Sequence, residues 1–117
     1  MQTADRGDGD RDLSEQLKIR LEPDPQGVCI RLVGEVDLST VPELDRLLDD
    51  LAEREHSRLL IDLNGVEFMD STGLGSIIRA LHAADANGHR LTVRRGSPQV
   101  QRLFELTGIA DRLTFED

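Results

Sequence analysis

One stretch limits what this chain can fold into more than any other: Leu59-Leu60-Ile61-Asp62-Leu63. Four of these five side chains are apolar with no alternation, which predicts a strand covered on more than one side and placed centrally in a sheet. The flanking sequence supplies its neighbours and its cover. Leu17, Ile19 and Leu21 alternate with polar residues, Pro23-Asp24-Pro25-Gln26-Gly27 turns the chain, and Val28, Ile30 and Leu32 alternate again. That pattern predicts an N-terminal β-hairpin. The period then changes to about 3.6, with Leu44, Leu47, Leu48 and Leu51 forming the stripe of an amphipathic helix. Thr40-Val41-Pro42-Glu43 before it reads as a capping box, Thr40 capping and Glu43 reaching back.

A second helix follows Asp70-Ser71-Thr72, with Leu74, Ile77, Ile78 and Leu81 as its stripe and Asn87-Gly88 as its stop. Leu91 and Val93 mark a short strand. Ser97-Pro98 opens a third helix, with Val100, Leu103, Phe104 and Leu106 expected to face inward and Gly108 just past its end. Leu113 to Phe115 is expected to add an edge strand. The fold class is α/β, a mixed sheet of about four to five strands with amphipathic helices packed on it.

At 117 residues the chain is the size of one domain, and 38% hydrophobic against 32% charged residues is a soluble globular balance. Residues 1 to 12 carry four Asp and two Arg, with Met1 and Ala4 as their only apolar side chains. They cannot offset the entropy of ordering, so a disordered acidic tail is expected there and the folded domain over residues 13 to 117. The net charge of −9 is the wrong sign for phosphate backbones or anionic lipid, and three Phe without Trp or Tyr offer no stacking platform. Neither nucleic acid nor membrane is an expected partner. No apolar run approaches the roughly 18 residues of a membrane span, and the first residues lack a secretory pattern, so a cytoplasmic protein is expected. Residues 35 to 70 concentrate the acidity, with eleven acidic side chains against three Arg.

Familiar catalytic patterns fail. His56, His82 and His89 lack metal-ligand spacing, and Cys29, the single cysteine, excludes a disulfide or multi-cysteine metal site and reads as a buried small hydrophobe. No metal or other cofactor is expected. Met69 and Asp70 before Ser71 break the nucleophile-elbow pattern, and Gly73-Leu74-Gly75 is followed by Ile78 where a dinucleotide fingerprint needs its third glycine. What remains is Asp70-Ser71-Thr72-Gly73-Leu74-Gly75, two hydroxyls and two glycines at a helix start. Unpaired N–H groups and the helix dipole stabilise an anion at such a place, and glycines admit another backbone. Ser71 as a plain N-cap is the competing reading, though capping explains neither glycine.

The sequence resembles the STAS-domain anti-sigma factor antagonists of bacteria. The likeness runs through Gly34-Glu35-Val36-Asp37-Leu38, Ile61-Asp62-Leu63, Phe68-Met69-Asp70-Ser71-Thr72-Gly73-Leu74-Gly75 and Leu106-Thr107-Gly108-Ile109, in that order, and covers nearly the whole chain past the tail. It implies a STAS fold and a non-enzymatic switch. Members of the family bind an anti-sigma factor that is also a serine kinase and so free a sigma factor. The kinase, which holds the ATP, then phosphorylates the antagonist's serine and lets go, and a metal-dependent serine phosphatase resets the cycle.

By this resemblance Ser71 is the phosphoacceptor, and Asp37, Asp70, Thr72, Gly73, Leu74 and Gly75 belong to the partner-binding surface. Asp37 is equally open to a structural duty before the first helix. Thr72 offers a second hydroxyl, with Ser71 ahead because it aligns with the family serine. A phosphate adds about −1.5 to −2 charges, which gain the helix dipole within the molecule and are costly at an interface. The alternative is a STAS scaffold or small-ligand-sensing module in a larger signalling assembly. An enzyme using Ser71 as nucleophile lacks a base or oxyanion partner.

Overall fold

The computed structural model describes residues 16–54 and 58–116. The acidic tail expected over residues 1 to 12 and the side chain of His56 lie outside them. The described chain runs β1 (Leu17–Asp24), β2 (Gly27–Val36), α1 (Val41–Ala52), β3 (Arg58–Met69), α2 (Ser71–Asn87), β4 (Arg90–Arg94), α3 (Pro98–Thr107), a 3₁₀ turn (Ile109–Arg112) and β5 (Thr114–Glu116). Its strands form one mixed sheet in the order β1-β2-β3-β4-β5. β1 and β2 are the antiparallel hairpin, and the remaining pairs are parallel.

β3 is the middle strand, as its unbroken apolar run requires. It is also longer than that run: β3 carries one extra residue opposite Arg31/Val33 and another opposite Gly34/Glu35, two bulges beyond which it still pairs with the end of β2 as far as Met69. The extension brings the end of β3 to the start of α2. Strands laid down in sequence order and joined by right-handed crossovers place all their helices on one face. There Leu44, Leu48 and Leu51 of α1, Ile77 and Ala84 of α2 and Phe104 of α3 close one core with Ile30, Leu32, Leu59, Ile61, Leu63 and Val93.

No helix covers the opposite face among the described residues, and polar chemistry covers it instead. Cys29, Leu60 and Thr92 lie side by side across β2, β3 and β4 at 5%, 1% and 7% exposure. A loop of ion pairs encloses them: Glu22–Arg31 (3.2 Å), Arg31–Asp62 (3.4 Å), Asp62–Arg94 (2.9 Å), Arg94–Glu116 (3.2 Å), Glu116–Arg58 (3.0 Å) and Arg58–Asp24 (3.2 Å). By the strand register, Arg58 and Glu116 stand on opposite sides of the Leu60–Thr92 row, so their pair passes over it. Arginine stems thus shield apolar surface while their charged ends stay hydrated or paired. Burial, and secondarily the Asp62 carboxylate, push the Cys29 thiol above its ordinary value.

Two local expectations are corrected. Thr40 precedes α1 but makes no capping bond, and no capping box forms. Its side chain is buried and turned back, donating to the Glu35 carbonyl (3.0 Å) and accepting from Asp37 N–H (3.0 Å). Leu106 does not face inward; it is 73% exposed. Val100 and Phe104 define the buried stripe of α3, and a residue two positions beyond Phe104 is turned about 200° away from it.

Asp62 is the keystone of the charge loop, with a side chain only 5% exposed. Asp62→Ala leaves Arg31 and Arg94 without their shared carboxylate, although both retain an outer acid and are a third or more exposed. The expected loss in chemical denaturation is about 1–3 kcal/mol, below the cost of orphaning a wholly buried charge.

Candidate functional site

The end of β3 delivers Asp70 in an extended conformation, and it is Asp70, not Ser71, that caps α2. One carboxylate oxygen, Oδ1, accepts from Thr72 N–H (2.9 Å), Gly73 N–H (3.1 Å) and the Thr72 hydroxyl (2.5 Å). The main chain holds the same residue, since Asp70 N–H donates to the Val36 carbonyl (3.2 Å) and Leu74 N–H donates to the Asp70 carbonyl (3.1 Å). Burial pulls the Asp70 carboxyl upward, but the bonds from the Thr72 hydroxyl and the Gly73 and Thr72 amides outweigh it and hold Asp70 below the ordinary carboxylate range.

This cap corrects the anion reading of the helix start. Two of the N–H groups expected to receive an incoming phosphate, those of Thr72 and Gly73, are already taken by the chain's own carboxylate. It also separates the two hydroxyls: that of Thr72 is donated to Asp70, whereas Ser71 sits at the first helical position, exposed and without a hydrogen-bond partner among the described residues.

The neighbouring loop is organised by Asp37. Its Oδ1 accepts from Ser39 N–H (3.0 Å), the Ser39 hydroxyl (2.7 Å) and Thr40 N–H (3.3 Å), and its carbonyl accepts from Val41 N–H (2.9 Å). Asp37 therefore shapes the turn into α1. Because Val36, one residue before it, receives Asp70 N–H, this turn and the start of α2 are fastened to each other.

The two glycines differ in kind. A Cβ on Gly73 would meet Val36 Cγ1 and Met69 Cγ at 2.8 Å and the Val36 carbonyl at 2.9 Å, so Gly73 is required by packing inside the chain. A Cβ on Gly75 would meet nothing within 4 Å. Leu74, expected on the partner surface, is 5% exposed and belongs to the core. Of the residues expected at the partner surface, Ser71 is exposed, and Asp37, Asp70, Thr72 and Gly75 are partly so.

Apolar side chains flanking this segment escape a reading by motif. Leu38, next to Asp37, is 74% exposed, and Phe68, just before Met69 and Asp70, is 49% exposed. Phe68 lines a shallow hollow with Met69, Leu103 and Leu106 of α3. The signal for Leu106 was its phase on the helix; the signal for Phe68 was the pair of bulges in β3 that set which side of the strand it occupies, and that is invisible without the pairing.

Fold and site together define a small α/β domain that offers one unbonded serine beside a fixed carboxylate, flanked by exposed apolar residues. Known proteins resemble this chain in sequence and in fold. The family model described as "Mlab, STAS domain" matches residues 19–114. An anti-sigma-B factor antagonist of Staphylococcus aureus is 37% identical over 82 residues, 70% of this chain and 76% of that protein. The crystal structure of an anti-sigma factor antagonist from Mycobacterium paratuberculosis superimposes with a TM-score of 0.78 at 23% identity, covering 85% of this chain and 84% of that one. The Bacillus cell fate determinant SpoIIAA in its phosphorylated form gives 0.67 at 22% identity, over 85% of this chain and 91% of that one. The chain belongs to the STAS domain family, in the group of the anti-sigma factor antagonists.

Gly73→Ala is expected to destabilise by about 1–3 kcal/mol, because the methyl group has backbone as well as side chain in its way. Gly75→Ala, with open space and a helical position, is expected to stabilise by up to about 1 kcal/mol. Urea titrations of the two variants check both signs.

Asp70→Asn keeps a capping side chain and removes only the charge. A carboxyl depressed in the folded state contributes stability that is present above its unfolded pKa of about 3.9 and lost as pH falls through the lower folded value. Thermal unfolding between neutral and strongly acid pH should therefore fall less steeply for Asp70→Asn than for the parent chain.

Proposed function

We propose that this chain is a cytoplasmic anti-sigma factor antagonist switched by phosphorylation at Ser71. Unmodified, it binds an anti-sigma factor that is also a serine kinase and thereby releases a sigma factor. The kinase brings the ATP. Its transfer of a phosphate to Ser71 ends the contact, and a serine phosphatase restores the binding form. The names of the relatives support the first part of this reading, and the phosphorylated form of SpoIIAA supports a modification on this fold.

The observation that carries it is the division of labour at the helix start. Asp70 does the capping, so the Ser71 hydroxyl is spared for chemistry, while the Thr72 hydroxyl is committed to the Asp70 carboxylate. A phosphate on Ser71 adds about −1.5 to −2 charges at pH 7. Since Asp70 occupies the Thr72 and Gly73 amides, that charge stays at the surface beside a second negative group. A partner seated on Ser71, Gly75 and the apolar flanks Leu38 and Phe68 then has to desolvate it without compensation. Each ~1.4 kcal/mol of that cost is a tenfold loss of affinity. The switch needs no rearrangement of the fold.

Incubation with the cognate kinase and ATP is expected to add one phosphate, located at Ser71 by mass spectrometry. Ser71→Ala should remain bound to the kinase in the presence of ATP, and Ser71→Asp should bind weakly while keeping its circular dichroism spectrum. Phosphate found only on Thr72, or equal binding of the two variants, defeats the proposal.

A further inference from the structure

Among the described residues the outer edge of β1 is unpaired, and the strand carries a charge pattern that its part in the sheet does not require. Read from Lys18 to Asp24, the strand is Lys18, Ile19, Arg20, Leu21, Glu22, Pro23, Asp24. Turned end for end about Leu21, cations fall on anions: Lys18 meets Asp24, Arg20 meets Glu22, Ile19 meets Pro23, and Leu21 meets itself.

The geometry points to β1 as a self-association strand, two copies of this chain pairing antiparallel, edge to edge, about a dyad at Leu21. Among the described residues β1 ends the sheet and pairs only with β2, on its other side. Pro23 has no N–H to donate, and the ladder alternates between residues bonded to β2 and residues turned outward, so Pro23, Leu21, Ile19 and Leu17 form the outward set. About a dyad at Leu21, the two Leu21 residues exchange both backbone bonds and each Ile19 N–H meets a Pro23 carbonyl. The missing proline donor then limits the ladder to this central stretch.

The side chains agree with the backbone. Lys18 and Arg20 make no ion pair among the described residues, in a chain of net charge −9. Glu22 and Asp24 each give one oxygen to an arginine of their own sheet, leaving capacity for a second cation. On the helix side, Leu21 is 47% exposed and lines a hollow with Ile19 and Leu47, rimmed by Glu43, Arg46 and Asp50. The dyad joins two such hollows into one apolar trough. Edge strands that avoid pairing carry charges that repel a copy; this one carries the opposite order. At the far edge β5 is three residues long, so the assembly closes as a dimer rather than growing.

Sedimentation velocity of the full chain across micromolar to millimolar concentrations is the test. The parent chain is expected to shift from monomer to dimer with concentration, less so at high salt. Leu21→Asp and Leu21→Lys each place a like charge on the dyad and should stay monomeric with unchanged circular dichroism, Leu21 being half exposed. An equimolar mixture of the two should form a heterodimer, a result that a general loss of apolar surface does not produce. A parent chain that is monomeric throughout, variants that associate as the parent does, or a mixture that stays monomeric overturns the assignment.

Discussion

Everything in this structure is arranged around the need to cover β3 on both faces. A strand whose run from Leu59 to Leu63 is buried residue by residue cannot have a wet side. The helices take one face. On the other, the answer is electrostatic: a loop of seven charged side chains drawn from β1 to β5 encloses Cys29, Leu60 and Thr92. Asp62, inside the apolar run, stands where the two arginines of the neighbouring strands can share it. A charge in the middle of the most hydrophobic segment is thus part of its cover.

The same strand positions the site. Two bulges in β3 carry it on to Met69 against the end of β2, and the next residue, Asp70, enters the helix already held by Val36. One carboxylate then performs three tasks. It caps α2, engages Thr72 and leaves Ser71 open, with a standing negative charge next to the position where more would be added. A phosphate at a vacant helix start would be welcomed by the dipole. At an occupied one it meets a competitor, which favours gating by repulsion over gating by refolding.

Much of this was legible in the residues. The change of period from two to 3.6 located the hairpin and the helices, Pro98 and Gly108 bracketed α3, and the Asp-Ser-Thr-Gly-Leu-Gly block marked the site. Two of the errors share one cause. Thr40 and Ser71 carry good capping side chains, yet Thr40 is drawn inward by Glu35 and Asp37, and Ser71 is displaced from the cap by Asp70. Local preference lost to a competing partner close in sequence. Leu106 was assigned inward on composition, when its phase relative to Phe104 already turned it outward. Gly73 and Gly75 look alike in sequence and separate only when Val36 and Met69 are seen pressing on the first of them.

The sequence by itself determined the kinds and order of the elements and the location of the reactive segment, because hydrophobic period, proline and turn chemistry act over a few neighbouring residues. It also held the mirrored charges of β1, which need no fold to be read. Tertiary structure alone decided which face of the sheet the helices leave open, how the turn before α1 is fastened to the start of α2, and which apolar side chains gather beside Phe68. Those outcomes depend on groups far apart in the chain reaching one place: Asp62 with Arg94, Val36 with Asp70, and Phe68 with Leu106. Register and crossover set such meetings, and no short window of residues contains them.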